Sequence, residues 1–123
     1  MKLRKVTIKI ESLHDGLKDF AETYQKLARG EKVEKEEIVS FVDIDVMRQM
    51  LTNQRIRLLK LINKHSPKTI YELAKMADRP YVNVFRDVKS LAEMGLVSLA
   101  REKRKVQPTA KYDELNICIP LKC

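Results

Sequence analysis

Side chains that can donate hydrogen bonds recur along one stretch of the chain at the spacing of a helix face. Between Asp78 and Leu96, apolar residues at helical spacing predict a helix with one buried face: Val84, Val88 and Leu91. Five side chains among its other positions are candidates to donate hydrogen bonds to a ligand: Arg79, Tyr81, Asn83, Arg86 and Lys89. In the major groove of DNA, Asn can pair with adenine and Arg with guanine through two hydrogen bonds each. We therefore predict that Asp78 to Leu96 is a recognition helix, with Asn83 and Arg86 reading bases.

A cluster of positive charge follows this segment. Four basic side chains lie at the tip of a predicted hairpin: Arg101, Lys103, Arg104 and Lys105. Such a tip can contact phosphates or enter the minor groove. Both groups also have a simpler interpretation, as a solvated helix face and as a hairpin whose charge serves only solubility. Asp87 is expected to orient a neighbouring residue or helix, because a carboxylate repels phosphate.

The preceding elements favour the DNA-binding interpretation. Thr52 is predicted to cap a helix over residues 53–64, with Ile56, Leu59 and Ile62 as its core-facing side chains. A short helix over 70–77 follows, with Thr69 as its predicted cap and a small apolar inner face. Asp78 is predicted to cap the third helix, and Gly95 to end it. Three helices and a basic hairpin in this order are typical of a winged helix-turn-helix.

The N-terminal third predicts a strand and a long amphipathic helix. Residues 5–10 alternate polar and apolar side chains, and Ser12 is a good N-cap for a helix that ends near Gly30. The apolar positions of that helix are spaced by three and four: Leu13, Leu17, Phe20, Ala21, Tyr24, Leu27 and Ala28. One small domain would hardly cover this surface. We expect residues 1–42 to be an arm for dimerisation or partner binding, with strand Val6–Ile10 pairing to a C-terminal strand.

Charge is unevenly distributed between the arm and the rest of the chain. The net charge is +8; residues 43–123 hold 16 basic and 9 acidic residues, whereas residues 1–42 hold 9 and 8. The basic part would attract a polyanion. We therefore expect residues 43–123 to form the DNA-binding domain, preceded by a short strand over 38–42 and beginning with a short helix over 43–51.

Other function classes find little support in the sequence. No nucleophile with a nearby base, glycine-rich phosphate loop or metal-ligand spacing is present, and His14 and His65 are isolated. We expect no enzymatic activity, catalytic residue, metal or cofactor. Cys118 and Cys123 cannot build a disulfide framework, and no signal peptide or membrane span is evident, so a reducing cytoplasm is expected.

Several short motifs resemble those of known regulators. They are Leu51-Thr52, Arg55, Leu58-Leu59, Ile70-Tyr71-Glu72-Leu73-Ala74, Arg79-Pro80, Asn83-Val84, Arg86-Asp87-Val88, Leu91 and Gly95-Leu96, with Pro108 and Tyr112-Asp113 after the hairpin. The segment Ser40 to Leu121 resembles the MarR-like winged-helix regulators and, more closely, a family of small, largely archaeal proteins described only by an inferred DNA-binding role. The resemblance implies a dimeric transcriptional regulator; some relatives resemble antitoxins. Phe85 departs from the small polar residue common in MarR-like proteins, and it faces either thymine methyl groups or the core.

Together these observations predict an α+β winged helix-turn-helix protein with an N-terminal strand–helix extension. We expect a cytoplasmic homodimer that binds double-stranded DNA sequence-specifically as a transcriptional regulator, with repression favoured over activation. The alternative is a protein-interaction module, such as an antitoxin with a toxin-like partner or an assembly subunit, because a fold does not determine a function.

Overall fold

A computed structural model describes residues 3–33 and 37–121. The elements, in chain order, are β1 (Lys5–Ile10), α1 (Leu13–Ala28), β2 (Ile38–Phe41), α2 (Ile44–Met50), α3 (Asn53–His65), α4 (Ile70–Ala77), α5 (Tyr81–Glu93), β3 (Val97–Glu102), β4 (Lys105–Ala110) and β5 (Glu114–Cys118). The fold class is therefore α+β, as predicted. None of the helices in the described ranges is both long and apolar enough to cross a membrane.

The described chain divides into two compact units. Residues 3–4 and 50–114 form the first unit, and residues 5–33, 37–49 and 115–121 form the second. This division differs from the predicted boundary after residue 42, because α2 and the C-terminal strand belong with the N-terminal arm. A strand near the end of the chain joins that unit by pairing with β1, which leaves no single sequence boundary between the units.

The first unit is built on capped helices around an apolar core. Thr52 Oγ1 accepts a hydrogen bond from the Arg55 N–H at 3.2 Å, and Thr69 Oγ1 accepts one from Glu72 at 3.0 Å. The predicted caps of α3 and α4 are thus confirmed. The core contains residues from all three helices and the strand that follows them: Leu58, Ile62, Ile70, Leu73, Ala74, Ala77, Val84, Val88, Leu91, Leu96 and Val97.

Two details of these helices differ from the prediction. In α3 the buried residues are Leu58 and Ile62, while Ile56 and Leu59 are half-buried. Apolar residues lie on several sides of α3, so periodicity alone could not select the inner face. Asp78 does not cap α5; it lies in the left-handed region with φ 54° and ends α4.

Helix α5 accordingly begins at Tyr81 rather than near residue 78. Pro80 occupies its N-cap position and makes no side-chain capping hydrogen bond. A proline disfavours helical backbone in the residue before it, so the helix cannot start at Arg79. At the other end, Gly95 has φ 79°, and the predicted glycine stop is confirmed.

Asp113 connects the segment after β4 to Arg4 and to α3. Its Oδ2 accepts the Arg4 backbone N–H at 3.0 Å, and its Oδ1 accepts Asn63 Nδ2 from α3 at 3.2 Å. The hydrogen bond from the Arg4 backbone, followed by that from Asn63, lowers the pKa of the Asp113 carboxyl. This gives the Tyr112-Asp113 pair a structural role.

The second unit contains a three-stranded sheet with the order β2-β1-β5. Strands β1 and β2 are parallel, with Ile8 opposite Val39 and Ile10 opposite Phe41. Val6, Ile8 and Phe41 are buried. The expected partnership between β1 and a C-terminal strand thus occurs within one chain. Strand β5 ends at Cys118, two residues before Pro120, which has no N–H to donate to a sheet.

Helix α1 has the predicted boundaries and the predicted cap. The Ser12 hydroxyl accepts the Asp15 N–H at 3.2 Å, and Gly30 follows the helix with φ 78°. Lys9 of β1 lies 3.1 Å from Asp19 of α1, Nζ to Oδ2. This hydrogen-bonded ion pair raises the pKa of Lys9 and lowers the pKa of Asp19. No residue of α1 is buried.

Candidate nucleic-acid interface

Helix α5 has one face in the core and one face in solvent. Val84, Val88 and Leu91 are completely buried and fix the rotation of the helix. Arg86 and Lys89 are exposed, and neither forms an ion pair within the part of the chain that the structure describes. Asn83 is half-buried, beside the first turn of the helix. The two cations are therefore free to bind an anion, and Asn83 is only partly accessible.

Arg79 has a different environment from the other predicted contact residues. Its Nη1 lies 2.9 Å from Asp87 Oδ2, and its side chain is only 19% exposed. Although this is an ion-pair distance, Nη1 is buried without an aligned hydrogen bond. The guanidinium is thus held inside the unit rather than presented to a ligand.

Asp87 joins three parts of the first unit. Besides Arg79, it accepts a hydrogen bond from Arg55 Nε of α3 at 3.1 Å. Arg55 Nη1 also donates to the carbonyl of Met50 at 2.8 Å. The carboxylate therefore links α5 to α3 and to the turn after α4, in agreement with the prediction that Asp87 orients neighbouring groups. The interhelical role of Arg55 was not predicted from the sequence.

Aromatic side chains line the surface beside the start of α5. Tyr81 stacks on Phe85 with ring centroids 5.9 Å apart, and Tyr71 of α4 lies 6.4 Å from Tyr81. Lys75 Nζ lies 4.7 Å from the centroid of the Tyr71 ring. Tyr71 and Tyr81 are exposed and Phe85 is half-buried. The sequence left open whether Phe85 faces DNA or the core. In the structure its side chain lies at the edge of the core, where it is only half-buried.

An open groove runs along these residues, with a volume of about 380 Å³. Its lining comes from α4, from the α4–α5 turn and from the first residue of α5: Tyr71, Ala74, Lys75, Asp78, Arg79, Pro80 and Tyr81. Sequence reasoning missed Tyr71 and Lys75, although their spacing of four residues on α4 places them on one face. It also missed Val82, which is 65% exposed on the polar side of α5.

The β3–β4 hairpin presents the second predicted group. Glu102 pairs with Lys105, so the turn contains only Lys103 and Arg104. Lys103 has φ 57°, a left-handed conformation that two-residue hairpin turns require and that β-carbon-bearing residues adopt at some cost. All four basic residues of the hairpin are exposed, while Val97 and Pro108 anchor its base in the core.

The two cationic groups belong to one compact unit. Helix α5 packs against β3, and β3 pairs with β4 along the whole hairpin. The exposed cations of the helix and the hairpin tip are therefore attached to a common scaffold. In the described ranges, no three metal-ligating side chains come together.

A scan against protein-family models matches residues 50–117 to one family, described as HVO_A0114. The match spans more than half of the chain. The chain belongs to the HVO_A0114 family. The HVO_A0114 match begins at the last residue of α2 and ends within β5, so it contains α3, α4, α5 and the hairpin but not α1. A search of curated proteins found no match. The description of the HVO_A0114 family states no activity, so the resemblance to MarR-like regulators stays a prediction.

Proposed function

We propose that the chain is a winged helix-turn-helix protein that binds double-stranded DNA sequence-specifically and regulates transcription. Helix α5 is the recognition helix, α4 is the helix that precedes it, and the β3–β4 hairpin is the wing. The supporting observation is the combination, in one compact unit, of unpaired Arg86 and Lys89 on α5 with four exposed cations at the hairpin. We expect repression, because occupation of a promoter sequence is sufficient for it.

The contacts divide into two classes in this proposal. The major groove is wide enough for an α-helix, and Arg86 on α5 can reach guanine with two hydrogen bonds. The hairpin cations bind phosphates or the minor groove, which contributes affinity without reading sequence in the major groove. Arg79 and Asp87 hold α5 in place rather than contacting bases, because their charges are paired inside the unit.

The apolar surface at the start of α5 supplies a further element of recognition. Tyr81 and Val82 are exposed in the first turn, where a recognition helix meets base edges. Apolar side chains contact the methyl group of thymine. We expect the preferred sites to contain thymines opposite Val82, next to a guanine read by Arg86.

A binding-site selection from random duplex DNA tests the proposal. The full chain should enrich one motif, and an Arg86→Ala variant should lose the preference at one base pair of it. Arg57→Ala removes the same charge from an exposed position of α3 and serves as the matched control; it should enrich the unchanged motif. Failure of the unmodified chain to enrich any motif would contradict sequence-specific recognition.

The exposed apolar side of α1 supports a second candidate, a protein-interaction module such as an antitoxin or assembly subunit. This helix lies outside both the proposed DNA-binding unit and the family match. A module of this kind would bind its partner through apolar contacts and with little dependence on salt. Salt dependence of DNA binding therefore separates the two candidates.

A further inference from the structure

Helix α1 has 16 residues, yet none of them is buried. Five large side chains form an apolar stripe along it, each between 58% and 71% exposed: Leu13, Leu17, Phe20, Tyr24 and Leu27. A helix of this length is marginal in water on its own, and helices in proteins are stabilised mainly by packing of an apolar face. The stripe therefore needs a surface to cover it.

The spacing of the stripe indicates what kind of surface fits. The intervals from Leu13 to Leu27 are four, three, four and three residues. This is the heptad repeat of paired helices, in which apolar residues at the a and d positions interlock with those of a neighbouring helix. Leu17 and Tyr24 take the a positions in this pattern, and the other three stripe residues take the d positions.

The side chains that flank the stripe are compatible with pairing to α1 of a second copy. In a heptad repeat, charges at the e and g positions select or reject partners. Here those positions hold no carboxylate, lysine or arginine: His14, Gly16, Ala21, Thr23 and Ala28. A second copy would therefore meet no repulsion between fixed like charges, and the small residues allow the two backbones to approach closely.

The remaining charges of α1 favour an antiparallel arrangement. The first half of the helix carries a net charge of −1, from Asp15, Lys18 and Asp19. The second half, with its C-cap, carries +1, from Glu22, Lys26 and Arg29. An antiparallel pair places each half beside the half of opposite charge, and it also opposes the two helix dipoles. The same contacts then occur twice about a twofold axis.

We propose that the stripe is covered by α1 of a second copy, in an antiparallel helix pair. The five side chains expose on the order of 600 Å² per copy, given that large aromatic side chains bury about 150–250 Å² each. A standard stable interface buries about 800 Å² per partner, which the flanking positions of α1 can supply. Lys9 and Asp19 hold the helix to β1 through its polar side.

A membrane surface is the main competitor for this stripe. Amphipathic helices that lie on membranes carry a polar face rich in Lys and Arg. The polar face of α1 instead has balanced charge, with three carboxylates among its residues. Its three cations are balanced by these carboxylates, so the face has no net positive charge to attract anionic lipid, and the second copy is the better fit. This inference does not depend on DNA binding.

Light scattering after size exclusion tests the proposal on the full chain. The wild type should have twice the 14.4 kDa monomer mass between about 10 and 100 µM. Phe20→Glu should give the monomer mass, and Gln25→Glu, which adds the same charge on the exposed polar side, should remain dimeric. Because Phe20 is 70% exposed, its substitution leaves the packing of either unit intact. A wild type of monomer mass would overturn the proposal, whether or not it binds vesicles of anionic lipid.

Disulfide trapping tests the orientation in a background with Cys118→Ser and Cys123→Ser. An antiparallel pair brings the two copies of residue 20 together near the twofold axis. It separates the two copies of residue 13 by about 20 Å, at 1.5 Å rise per residue. Bridging requires Cα atoms within about 7 Å. Phe20→Cys should therefore cross-link on oxidation, and Leu13→Cys should not. Efficient cross-linking through residue 13 would contradict the antiparallel pair.

Discussion

Arg79 Nη1 lies 2.9 Å from Asp87 Oδ2, and this pair fixes the α4–α5 turn to the middle of α5. Arg55 approaches the same carboxylate from α3 at 3.1 Å. The side chains of all three residues are less than one-fifth exposed. One carboxylate thus pairs with two guanidinium groups, for a net charge of +1, at the point where α3, the α4–α5 turn and α5 meet.

Asp87→Ala should destabilise the first unit by about 3 kcal/mol, because two largely buried guanidinium groups would lose their counterion. Asp87→Asn keeps the shape and one acceptor, and should cost less. Urea unfolding followed by circular dichroism provides the measurement, since the chain has no Trp. Arg86→Ala is the control with an exposed side chain on the same helix. A loss no larger than that of the control would show that the cluster is not structural.

Arg86→Ala and Arg104→Ala should weaken DNA binding in different ways. Loss of the α5 arginine should reduce discrimination at one base pair by about 1–3 kcal/mol. Loss of the hairpin arginine should weaken binding evenly across sequences and lower the salt slope by about one. Competition binding with single-base variants of the selected site measures both. Equal, sequence-independent losses from the two variants would instead indicate an architectural protein.

Replacement of thymine by deoxyuracil in the selected site should weaken binding about fourfold at each methyl group that α5 contacts, given about 0.8 kcal/mol per buried carbon group. Val82→Ala should weaken binding to the thymine site and remove the uracil effect at its own position. Fluorescence anisotropy measures the affinity of wild type and of Val82→Ala for the thymine duplex and for the uracil duplex. The four values together give the coupling between the Val82 side chain and the thymine methyl group. Identical affinity for thymine and uracil duplexes would exclude apolar recognition by Val82.

Lowering the pH should reduce the stability of the first unit, in part because the Asp113 carboxylate becomes protonated. Because the Arg4 backbone N–H and Asn63 lower the pKa of this carboxyl, the folded state favours the carboxylate. Its contribution to the free energy of unfolding is therefore complete above the ordinary pKa of about 4, and it is lost as pH falls through the lowered value. The stability difference between wild type and Asp113→Asn should shrink between pH 6 and pH 3. A difference that stays constant over this range would contradict the assignment.

The sequence was informative where a local signal has one physical meaning. The hydroxyls of Ser12, Thr52 and Thr69 each precede an apolar repeat, and each caps its helix as predicted. Asp78 was misassigned because aspartate is favoured both as a helix N-cap and in left-handed turns. The proline two residues later, which excludes Arg79 from the helix, was the signal that distinguishes the two.

The sequence did not predict which charged side chains pair with residues of another element. Arg79 and Lys89 are both cations that the sequence pattern places on the polar face of the predicted helix. Arg79 is nevertheless paired inside the unit, whereas Lys89 is exposed. That difference depends on Asp87 and Arg55, which lie 8 and 24 positions away from Arg79 in sequence. Periodicity identifies which residues share a face, but not which of them meet a partner from another element.

The salt dependence of binding to duplex DNA tests the central claim most directly. Arg86, Lys89 and the four hairpin cations offer about six phosphate or base contacts, which predicts a loss of affinity of about 10³-fold between 50 and 200 mM salt. Fluorescence anisotropy of the full chain on the selected duplex measures it, with Arg57→Ala as the charge-matched control. A steep decrease, reduced by Arg104→Ala but not by the control, is the expected result. Salt-independent binding, or no binding at 50 mM salt, would contradict the proposed function.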